Sequence, residues 1–454
     1  MIDAARIAAW LPQARWFAGK GAALSHVAIG DEAIIPGTDI SLALLDATTL
    51  DATDRYVAPL ADGADAALDP RFAAWLVEAI RAGGAIAGRH GVFRGRPALP
   101  AAPALPGDTV RVSSLGNDAS NTSLLVEHAG GSLAVKLLRR CRPGIQPEVE
   151  LGEFFARHAL WAATPRFLGW LEYAPAAGDS IAVATVHEFA PGSTTAWDHL
   201  VPLVAGGGLT GPDRQQILGI TAALGRTTAE MHRSLASRPD LAAFAPEHAS
   251  AADRQAEAER MLAHATHVFS LAEARLPSLP PAVATATEHL LERRDAIAAA
   301  LGRLATVEPW AALIRIHGDY HLGQVLVRPP APELLVIDFE GEPGRSLADR
   351  RRKTTAAKDV AGMCRSFDYL LRHAARVGSM GYDAAHLRLL EASYLAAYRA
   401  VAAGQPWWPA EERAAEAILS IYKLDKALYE LAYELRNRPD WVEVPLGALM
   451  SCGV

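Results

Sequence analysis

Two short motifs, at residues 317–324 and 334–340, constrain this chain more than any other part of its sequence. They read H-G-D-Y-H-L-G-Q and L-L-V-I-D-F-E. They place Asp319 and Gln324 on a tight loop and Asp338 directly after a hydrophobic strand. Phosphoryl transfer from ATP needs this set, because it uses a base for the acceptor hydroxyl, here Asp319, and two oxygen ligands for magnesium, here Gln324 and Asp338. Two motifs in this order favour that interpretation over a polar hairpin that holds one Asp and one Gln by chance.

The composition indicates a globular intracellular protein with more than one hydrophobic core. The chain has 454 residues, half of them hydrophobic, and a formal net charge of −7, which provides no basic surface for nucleic acid or an anionic membrane. Three cysteines without a C-x-x-C pair argue against a disulfide scaffold or a zinc site. No signal peptide or membrane span is expected, so we predict a cytoplasmic location. Because the charge balance does not favour nucleic acid or a membrane, we predict a small-molecule partner.

A proline-rich segment divides the sequence. Prolines recur at every third residue from Pro97 to Pro106, which is the period of a polyproline II helix and favours a stiff connection over a random loop. We therefore predict an N-terminal domain over residues 1–96, a linker over 97–107, a small β-rich lobe over 108–190 and a large helical lobe over 191–454.

Hydrophobic periodicity predicts the elements of each domain. Before the linker we expect strands at 40–48 and 54–60 and a helix at 70–81, with the aromatic residues at 10–20 in the core. In the small lobe we expect a helix at 147–157 and strands at 109–112, 123–127, 132–138, 166–172 and 181–189. In the large lobe we expect helices at 217–237, 251–274, 283–301 and 387–403. A small sheet domain joined to a larger helical one is an α+β, two-lobed architecture.

Lys136 ends an apolar run in the small lobe. A lysine at this position in kinases meets the α- and β-phosphates and a glutamate of the next helix. Glu148 and Glu150 both lie at the start of the helix that follows. Glu150 is preferred as the catalytic partner of Lys136, because Glu148 at the very start also interacts favourably with the helix dipole. Glu148 stays open as the alternative.

Two loops complete the predicted nucleotide site. Residues 114–123 lie between two strands ahead of Lys136 and offer hydroxyl, amide and backbone groups that can hold phosphates. The side chains in question are Ser120, Asn121, Thr122 and Ser123. Residues 187–192 follow the last strand of the small lobe, and the backbone of Glu188 and Phe189 is predicted to meet the adenine edge. An ordinary turn between domains has a similar sequence.

Three further residues lie close to the two motifs. His321 is predicted to hydrogen-bond the acceptor or a catalytic carboxylate, although a loop histidine is also often structural. Glu340 takes the place of the glycine of D-F-G, where it either adds a third oxygen ligand to magnesium or caps a turn. Asp359 is predicted to be the N-cap of the next helix rather than a catalytic residue.

The segment at 422–441 has an unusual polar and aromatic stripe. Residues at helical offsets of 0, 3, 7, 10 and 14 share one face, and here they are Lys423, Lys426, Glu430, Tyr433 and Asn437. Sugar sites combine aromatic stacking with charged hydrogen-bonding groups, and this stripe has both. A solvated helix face with Lys426–Glu430 pairing is the alternative.

These motifs resemble those of bacterial maltokinases, whose fold is that of aminoglycoside phosphotransferases and eukaryotic-like kinases. The matching segments run along the whole sequence and are residues 10–19, 120–124, 136–140, 143–151, 317–326, 337–344, 358–367 and 429–439. The blocks at 317–324 and 337–344 are the specific ones. The resemblance implies a two-lobed, protein-kinase-like fold with residues 1–96 as an N-terminal cap over the small lobe.

The implied reaction transfers the γ-phosphate of ATP, with Mg²⁺, to the anomeric hydroxyl of maltose and yields maltose 1-phosphate for α-glucan synthesis. In the family the C-terminal helix contributes to the sugar pocket, which assigns to it Lys426, Glu430, Tyr433 and Arg438. Related chains occur fused to trehalose synthase, which implies a functional link to that enzyme. A kinase of glucosamine, another amino sugar or an aminoglycoside is the alternative within the same fold. A catalytically inactive pseudokinase is a third hypothesis.

Overall fold

The computed structural model describes residues 4–20, 23–50, 52–99, 110–116, 120–158, 161–207, 209–328, 333–378 and 381–451. The strands are β1 Leu24–Ile34, β2 Ile40–Thr49, β3 Thr53–Ala61, β4 Ala64–Asp65, β5 Ala85–Ala87, β6 Gly91–Pro97, β7 Arg111–Ser114, β8 Thr122–His128, β9 Gly131–Leu137, β10 Phe167–Pro175, β11 Ile181–Glu188, β12 Thr194–Thr195, β13 Val325–Arg328 and β14 Glu333–Val336. The α-helices are α1 Ala4–Trp10, α2 Pro70–Ala82, α3 Pro147–His158, α4 Ala196–Ala205, α5 Arg214–Leu235, α6 Ala251–Arg275, α7 Pro281–Glu292, α8 Arg294–Gly302, α9 Leu347–Arg351, α10 Ala357–Val377, α11 Ala384–Ala402, α12 Glu412–Asn437 and α13 Glu443–Ser451. None of these helices combines the length and the apolarity needed to cross a lipid bilayer.

The chain divides into two compact units. Unit 1 comprises Met1–Pro191 and Asp338–Arg351, and unit 2 comprises Gly192–Ile337 and Arg352–Val454. Strands β1–β11 and helices α1–α3 and α9 therefore belong to unit 1, and the remaining elements belong to unit 2. Most of the predicted linker at 97–107 lies outside the described residues, so its polyproline II conformation stays a prediction.

Unit 1 is built on two antiparallel sheets. One has the strand order β1-β2-β3-β4, and the other has the order β5-β6-β10-β11-β9-β8-β7. In the larger sheet β6 pairs with β10 along its whole length, from Gly91↔Pro175 to Pro97↔Gly169. This sheet therefore contains strands from both sides of the predicted boundary at residue 96. The predicted domain limits stay predictions.

Strand β2 supplies side chains to two hydrophobic cores, because alternate residues of a strand point to opposite faces. Leu44 packs in a core that includes Phe72 of α2. Its neighbour Leu45 packs in a second core with Trp16 and Phe17. The expectation that aromatic residues near the N-terminus are core residues is confirmed for Trp16 and Phe17, which are both buried.

Unit 2 is mainly helical and carries a small antiparallel sheet with the order β12-β13-β14. Helix α10 packs against α12, and α5 packs against α11. Strand β13 pairs with β14 from Val325↔Val336 to Arg328↔Glu333. This pairing confirms the hydrophobic strand that the sequence predicts directly before Asp338.

The prediction of one helix over residues 283–301 is wrong. Helix α7 ends at Glu292 and α8 begins at Arg294, because the backbone of Arg293 leaves the helical region (φ −91°, ψ 5°). Arg294 Nε donates a hydrogen bond to Leu291 O at 3.0 Å, which satisfies a carbonyl group at the end of α7. The other predicted helices are present, with ends that differ by a few residues.

Glu257 on α6 is a buried carboxylate that joins three segments of unit 2. It pairs with Arg260 of the same helix, accepts from Arg352 Nη2 at 2.6 Å and accepts from Tyr422 Oη of α12 at 2.9 Å. Burial by itself favours the neutral acid, but the two arginines outweigh it and lower the pKa of Glu257 to about 2. The charged carboxylate therefore stabilises the packing of α6 on α12.

Replacing Glu257 with Gln should destabilise the protein at pH 7 by about 3 kcal/mol, because two guanidinium groups lose a buried partner. A carboxyl with a lowered pKa stabilises the fold above its ordinary pKa of 4.5, and this contribution disappears as the pH falls towards about 2. Urea unfolding between pH 7 and pH 3.5 measures the free energy of unfolding of wild type and of Glu257→Gln. The difference between these two free energies should become smaller as the pH falls.

The control for this experiment is Glu259→Gln, an exposed carboxylate on the same helix that accepts from Gln255. It should change the free energy of unfolding by less than about 0.5 kcal/mol at every pH. A Glu257→Gln effect that stays constant with pH would contradict the lowered pKa.

Candidate active site

In unit 1, Lys136 lies among three carboxylates. It is on β9, where its neighbours in sequence point into the hydrophobic core and Lys136 points to the other face. Its Nζ is 3.1 Å from Glu148 Oε2 and 2.6 Å from Asp338 Oδ1, and it also pairs with Glu340. The structure therefore brings Lys136 together with Asp338, and Glu340 joins them.

The expected pairing of Lys136 with Glu150 is wrong, because Glu148 takes that place. Glu150 instead accepts hydrogen bonds from Arg351 of α9, from Nη2 at 2.7 Å and from Nε at 2.9 Å. Two residues that are two positions apart on a helix point about 160° away from each other, so Glu148 and Glu150 cannot both face Lys136. The helix dipole contributes only about 0.3–1 kcal/mol. It does not discriminate between two acids of the same first turn.

Burial and mutual repulsion change the protonation of the groups around Lys136. Burial contributes most to the pKa of Glu340; Lys136 opposes it and Asp338 and Glu148 reinforce it, and the result is a pKa raised to about 7. Burial likewise raises the pKa of Glu148 against the opposing effect of Lys136. Burial, followed by the charge of Lys136, lowers the pKa of the nearby His187 to about 4. The cluster thus contains more carboxylates than one ammonium group can balance.

The three carboxylates form a donor set that fits magnesium. Glu148, Asp338 and Glu340 each offer one oxygen, and these oxygens lie within 4.8 Å of one another. Mg²⁺ takes oxygen ligands and is commonly bound through one or two carboxylates together with phosphate oxygens. The Asp338 side chain is 33% exposed, whereas that of Glu148 is 5% exposed. Asp338 also has a φ of +65°, a rarely occupied backbone conformation that often marks functional sites.

The predicted phosphate-binding loop contributes Asn121 to this cluster. Asn121 Nδ2 donates to Glu340 Oε1 at 2.8 Å, and Asn121 is buried while the adjacent Ser120 is exposed. Thr122 and Ser123 are already part of strand β8. Residues 117–119 of the loop lie outside the described residues, and phosphate binding by the loop stays a prediction.

The segment that was predicted to meet the adenine edge already uses two backbone donors. Glu188 N donates to Arg166 O at 2.9 Å, and Phe189 N donates to Ser132 O at 3.0 Å. The Glu188 side chain also pairs with Arg166, at 2.8 Å. These two N–H groups are engaged within the sheet, because β11 continues as a paired strand through Glu188. The predicted contact of Glu188 and Phe189 with the adenine edge stays a prediction.

In unit 2, Asp319 pairs with Lys426 of α12. Lys426 Nζ is 2.8 Å from Asp319 Oδ1, and it also lies 4.4 Å from the centroid of the Tyr429 ring. Gly318, directly before Asp319, has a φ of +88°, which glycine adopts without the steric cost of a side chain. The structure thus brings the predicted base into contact with a residue of the predicted sugar stripe.

Asp359 fixes the backbone of this loop and is not the N-cap that the sequence predicts. It lies inside α10, fully buried, and accepts hydrogen bonds from His317 N at 2.8 Å and Gly318 N at 2.9 Å. Its Oδ2 is also 3.1 Å from His232 Nε2. Burial favours the neutral acid, but these hydrogen bonds and the nearby histidines lower the pKa of Asp359. The N-cap prediction failed because α10 begins earlier, at Ala357.

His321 and Gln324 make structural contacts in the same loop. His321 Nδ1 accepts from Gly323 N at 3.0 Å and so caps the 3₁₀ turn that follows it. Gln324 O accepts from Ile337 N at 2.9 Å, which closes the hairpin next to the second motif. The predicted roles of His321 in acceptor binding and of Gln324 in metal binding stay predictions.

The stripe on α12 is largely paired with neighbouring helices. Glu430 is 2.6 Å from Arg365 of α10, and Lys423 pairs with a glutamate of α11 at 2.6 Å. Tyr433 is exposed, and the guanidinium of Arg438 lies 5.3 Å from the centroid of its ring. The stripe is therefore not a fully solvated face of α12, because Lys423, Lys426 and Glu430 pair with residues outside this helix. The assignment of Lys426, Glu430, Tyr433 and Arg438 to a sugar site stays a prediction.

Two charged residues of α10 were not predicted to have a role in the site. Asp359 holds the backbone of the loop that contains Asp319, and Arg365 pairs with both Glu430 and Asp368. Both are buried within the run Asp359-Val-Ala-Gly-Met-Cys-Arg365. Charged residues are rarely buried unless they are paired, so charges inside an apolar helical run were the signal available in the sequence.

Comparison with known proteins assigns the family. Residues 111–403 match the phosphotransferase enzyme family, and the chain belongs to it. A glucosamine kinase of Streptacidiphilus jiangxiensis is 31% identical over 339 residues, which cover 72% of this chain and 70% of that protein. A solved glucosamine kinase (crystal form B) superimposes with a TM-score of 0.66 at 25% identity, over 100% of this chain and 97% of the other. A glucosamine kinase in complex with glucosamine, ADP and inorganic phosphate has a TM-score of 0.64 at 24% identity, over 99% of both chains. The predicted α+β, kinase-like fold is confirmed.

Glu148→Gln should weaken divalent-ion binding by about tenfold or more, because the cluster loses one of its three carboxylate ligands. Titration with Mn²⁺, followed by the paramagnetic resonance of the free ion, measures this binding without any turnover. Glu150→Gln is the matched control, because it alters the same helix turn but removes the partner of Arg351. Equal losses in the two variants would contradict the assignment of Glu148 to the cluster.

Proposed function

We propose that this protein is an ATP- and magnesium-dependent kinase that transfers the γ-phosphoryl group to a hydroxyl group of a sugar. The observation that carries the proposal is the contact of Lys136 with Glu148, Asp338 and Glu340. Phosphoryl transfer needs positive groups that offset phosphate charge and oxygen ligands for the metal, and this cluster supplies both. Membership of the phosphotransferase enzyme family supports the same reaction.

Glu148, Asp338 and Glu340 are the proposed ligands of magnesium, which when bound offsets the charge of the phosphates. Lys136 orders the three carboxylates and is proposed to donate to a phosphate oxygen when a nucleotide is present. Asn121 holds Glu340 from the side of the phosphate loop, since its Nδ2 donates to Glu340 Oε1. A pseudokinase is the less favoured hypothesis, because Lys136, Asp319, Gln324 and Asp338 are all present.

Asp319 is the proposed general base. Its Oδ1 is held by Lys426, and the backbone before it is held by Asp359 through two hydrogen bonds. This support leaves the carboxylate in one orientation, in which Oδ2 would accept the proton of the acceptor hydroxyl. Placement of a base by fixed neighbours lowers the entropic cost of reaching the reactive geometry.

An amino sugar such as glucosamine is the first candidate for the acceptor. The relative from Streptacidiphilus jiangxiensis is a glucosamine kinase and is 31% identical over most of both chains. An amino sugar carries an ammonium group at neutral pH, and a carboxylate would be expected to bind it. This acceptor replaces maltose as the leading proposal.

Maltose is the second candidate, and the charges near Asp319 favour it. Carboxylates of α10 and α12 are paired with cations, since Glu430 and Asp368 pair with Arg365 and Glu434 pairs with Arg438. Lys426 adds a positive charge next to Asp319 itself. Paired ions of this kind suit the hydroxyl groups of a neutral sugar. The link to trehalose synthase and α-glucan synthesis depends on this candidate.

Asp319→Asn should lower kcat by about 10²–10⁴-fold, because the amide cannot accept the proton of the acceptor. Binding of the nucleotide should stay close to that of wild type. ADP release in a coupled assay measures turnover, and calorimetry with a non-hydrolysable ATP analogue measures binding. Asp213→Asn is the control, since the Asp213 side chain makes no capping hydrogen bond at the start of α5. A fully active Asp319→Asn enzyme would rule out this base.

A panel of acceptors should separate the two candidate sugars. ADP release with glucosamine, glucose, maltose and kanamycin, at equal concentrations and saturating magnesium and ATP, gives the relative kcat/KM values. If the acceptor is an amino sugar, glucosamine should exceed glucose at least about tenfold, since one well-placed ion pair contributes more than 1.4 kcal/mol. A preference for maltose would select the second candidate. The absence of ADP release with every sugar would rule out both candidate acceptors.

A further inference from the structure

Arg139 is a buried guanidinium in unit 1, three residues after Lys136. Its side chain is 1% exposed. Nε donates to Thr122 Oγ1 at 2.8 Å, Nη2 donates to Asp65 Oδ2 at 2.7 Å, and Nη1 donates to Val57 O at 3.3 Å. The planar guanidinium offers five donors in a fixed arrangement. Arg139 therefore ties the start of β8 to the four-stranded sheet.

Trp16 completes the surroundings of Arg139. The guanidinium carbon lies 4.6 Å from the centroid of the Trp16 ring, a cation–π contact. Trp16 in turn packs against Tyr56, with ring centroids 5.6 Å apart. Asp65, Val57 and Trp16 all lie within residues 16–65, so the part of the chain before α2 provides most of the contacts of this side chain.

The backbone around Arg139 joins the same two regions. Val57 N donates to Arg139 O at 2.9 Å, and Cys141 N donates to Arg55 O at 2.8 Å. Arg140 lies between these two backbone contacts, and its side chain pairs with Asp54 of β3 at 2.6 Å. These two neighbouring arginines thus have similar acidic partners, but Arg139 also contacts Thr122, the first residue of β8.

Thr122 leads directly to the acidic cluster. It follows Asn121, and Asn121 Nδ2 donates to Glu340 Oε1 at 2.8 Å. A shift of Thr122 would move Asn121, and Glu340 would lose the group that orients it. Outer partners of this kind orient the ligands of a metal and strongly affect its affinity.

We propose that Arg139 is a positioning residue for the magnesium and nucleotide site. It holds Thr122 against Asp65 and Trp16, and so sets the position of Asn121 and, through it, of Glu340. Trp16, Val57 and Asp65 thereby affect how tightly the cluster binds a magnesium nucleotide. This inference rests on the proposed function, because it takes Glu340 as a ligand of the metal.

Stability alone does not explain a charged residue at this place. Replacing a buried ion pair by hydrophobic side chains of similar size is often neutral or stabilising. A hydrophobic side chain could fill the space next to Trp16, but it could not orient a hydroxyl, a carbonyl and a carboxylate at once. The contacts of Arg139 therefore indicate that orientation is its main role.

Two matched variants test this role. Asp65→Asn removes the charged partner of Arg139, and Asp54→Asn removes the charged partner of Arg140 from the adjacent strand. We expect Asp65→Asn to raise the Kd of Mg²⁺·AMP-PNP, measured by calorimetry, by about tenfold, and Asp54→Asn to leave it within about twofold of wild type. Thermal unfolding of both variants shows whether they are folded.

A thermodynamic cycle with Asn121→Ala separates orientation from general stability. If Asp65 acts through Asn121, then Asp65→Asn should raise the Kd much less in the Asn121→Ala background than in wild type. Arg139→Lys keeps the charge but loses the planar fork, and we expect a Kd between those of wild type and Asp65→Asn. Equal Kd values for Asp65→Asn and Asp54→Asn, or full additivity in the cycle, would overturn the inference. If wild type itself binds no Mg²⁺·AMP-PNP, the proposed function fails and the inference fails with it.

Discussion

The balance of charge around Lys136 is the constraint on which the rest of the site in unit 1 depends. One ammonium group contacts three mostly buried carboxylates, from α3 and from the residues after β14. Buried charges are tolerated only when they are paired and hydrogen-bonded. Each member of the cluster is therefore needed to hold the others, and the surplus of negative charge suits a divalent cation. Asn121 and Arg139 extend this network to the four-stranded sheet.

Unit 2 supports Asp319, the proposed general base, by a different arrangement. Asp359 uses both carboxylate oxygens to hold the backbone ahead of Asp319, and Lys426 holds the Asp319 side chain. Arg365 holds Glu430 on the same helix as Lys426. Reactive groups that are supported by fixed neighbours need less reorganisation during the reaction. In the proposed reaction these charged residues thus act mainly to orient the side chain of Asp319.

Much of this molecule could be predicted from local pattern. Alternating and helical periodicities located most strands and helices, and the spacing of Asp319, Gln324 and Asp338 predicted phosphoryl transfer. The prediction of a single helix at 283–301 was wrong, because the helix breaks at Arg293 without interrupting the hydrophobic periodicity on which the prediction was based. Glu150 was preferred over Glu148 on a weak dipole argument, although the two residues point to opposite faces of α3.

The class of chemistry and the fold class could be inferred from the sequence alone, because both depend on residue types at short spacings along the chain. The partners of the charged residues depend on tertiary packing: Lys136 meets Glu148, Asp319 meets Lys426, Asp359 meets the backbone of His317 and Gly318, and Arg139 meets Thr122 and Asp65. These partners are 12 to 107 residues apart. Their pairing follows from which faces of helices and strands pack together, and local periodicity does not specify this packing.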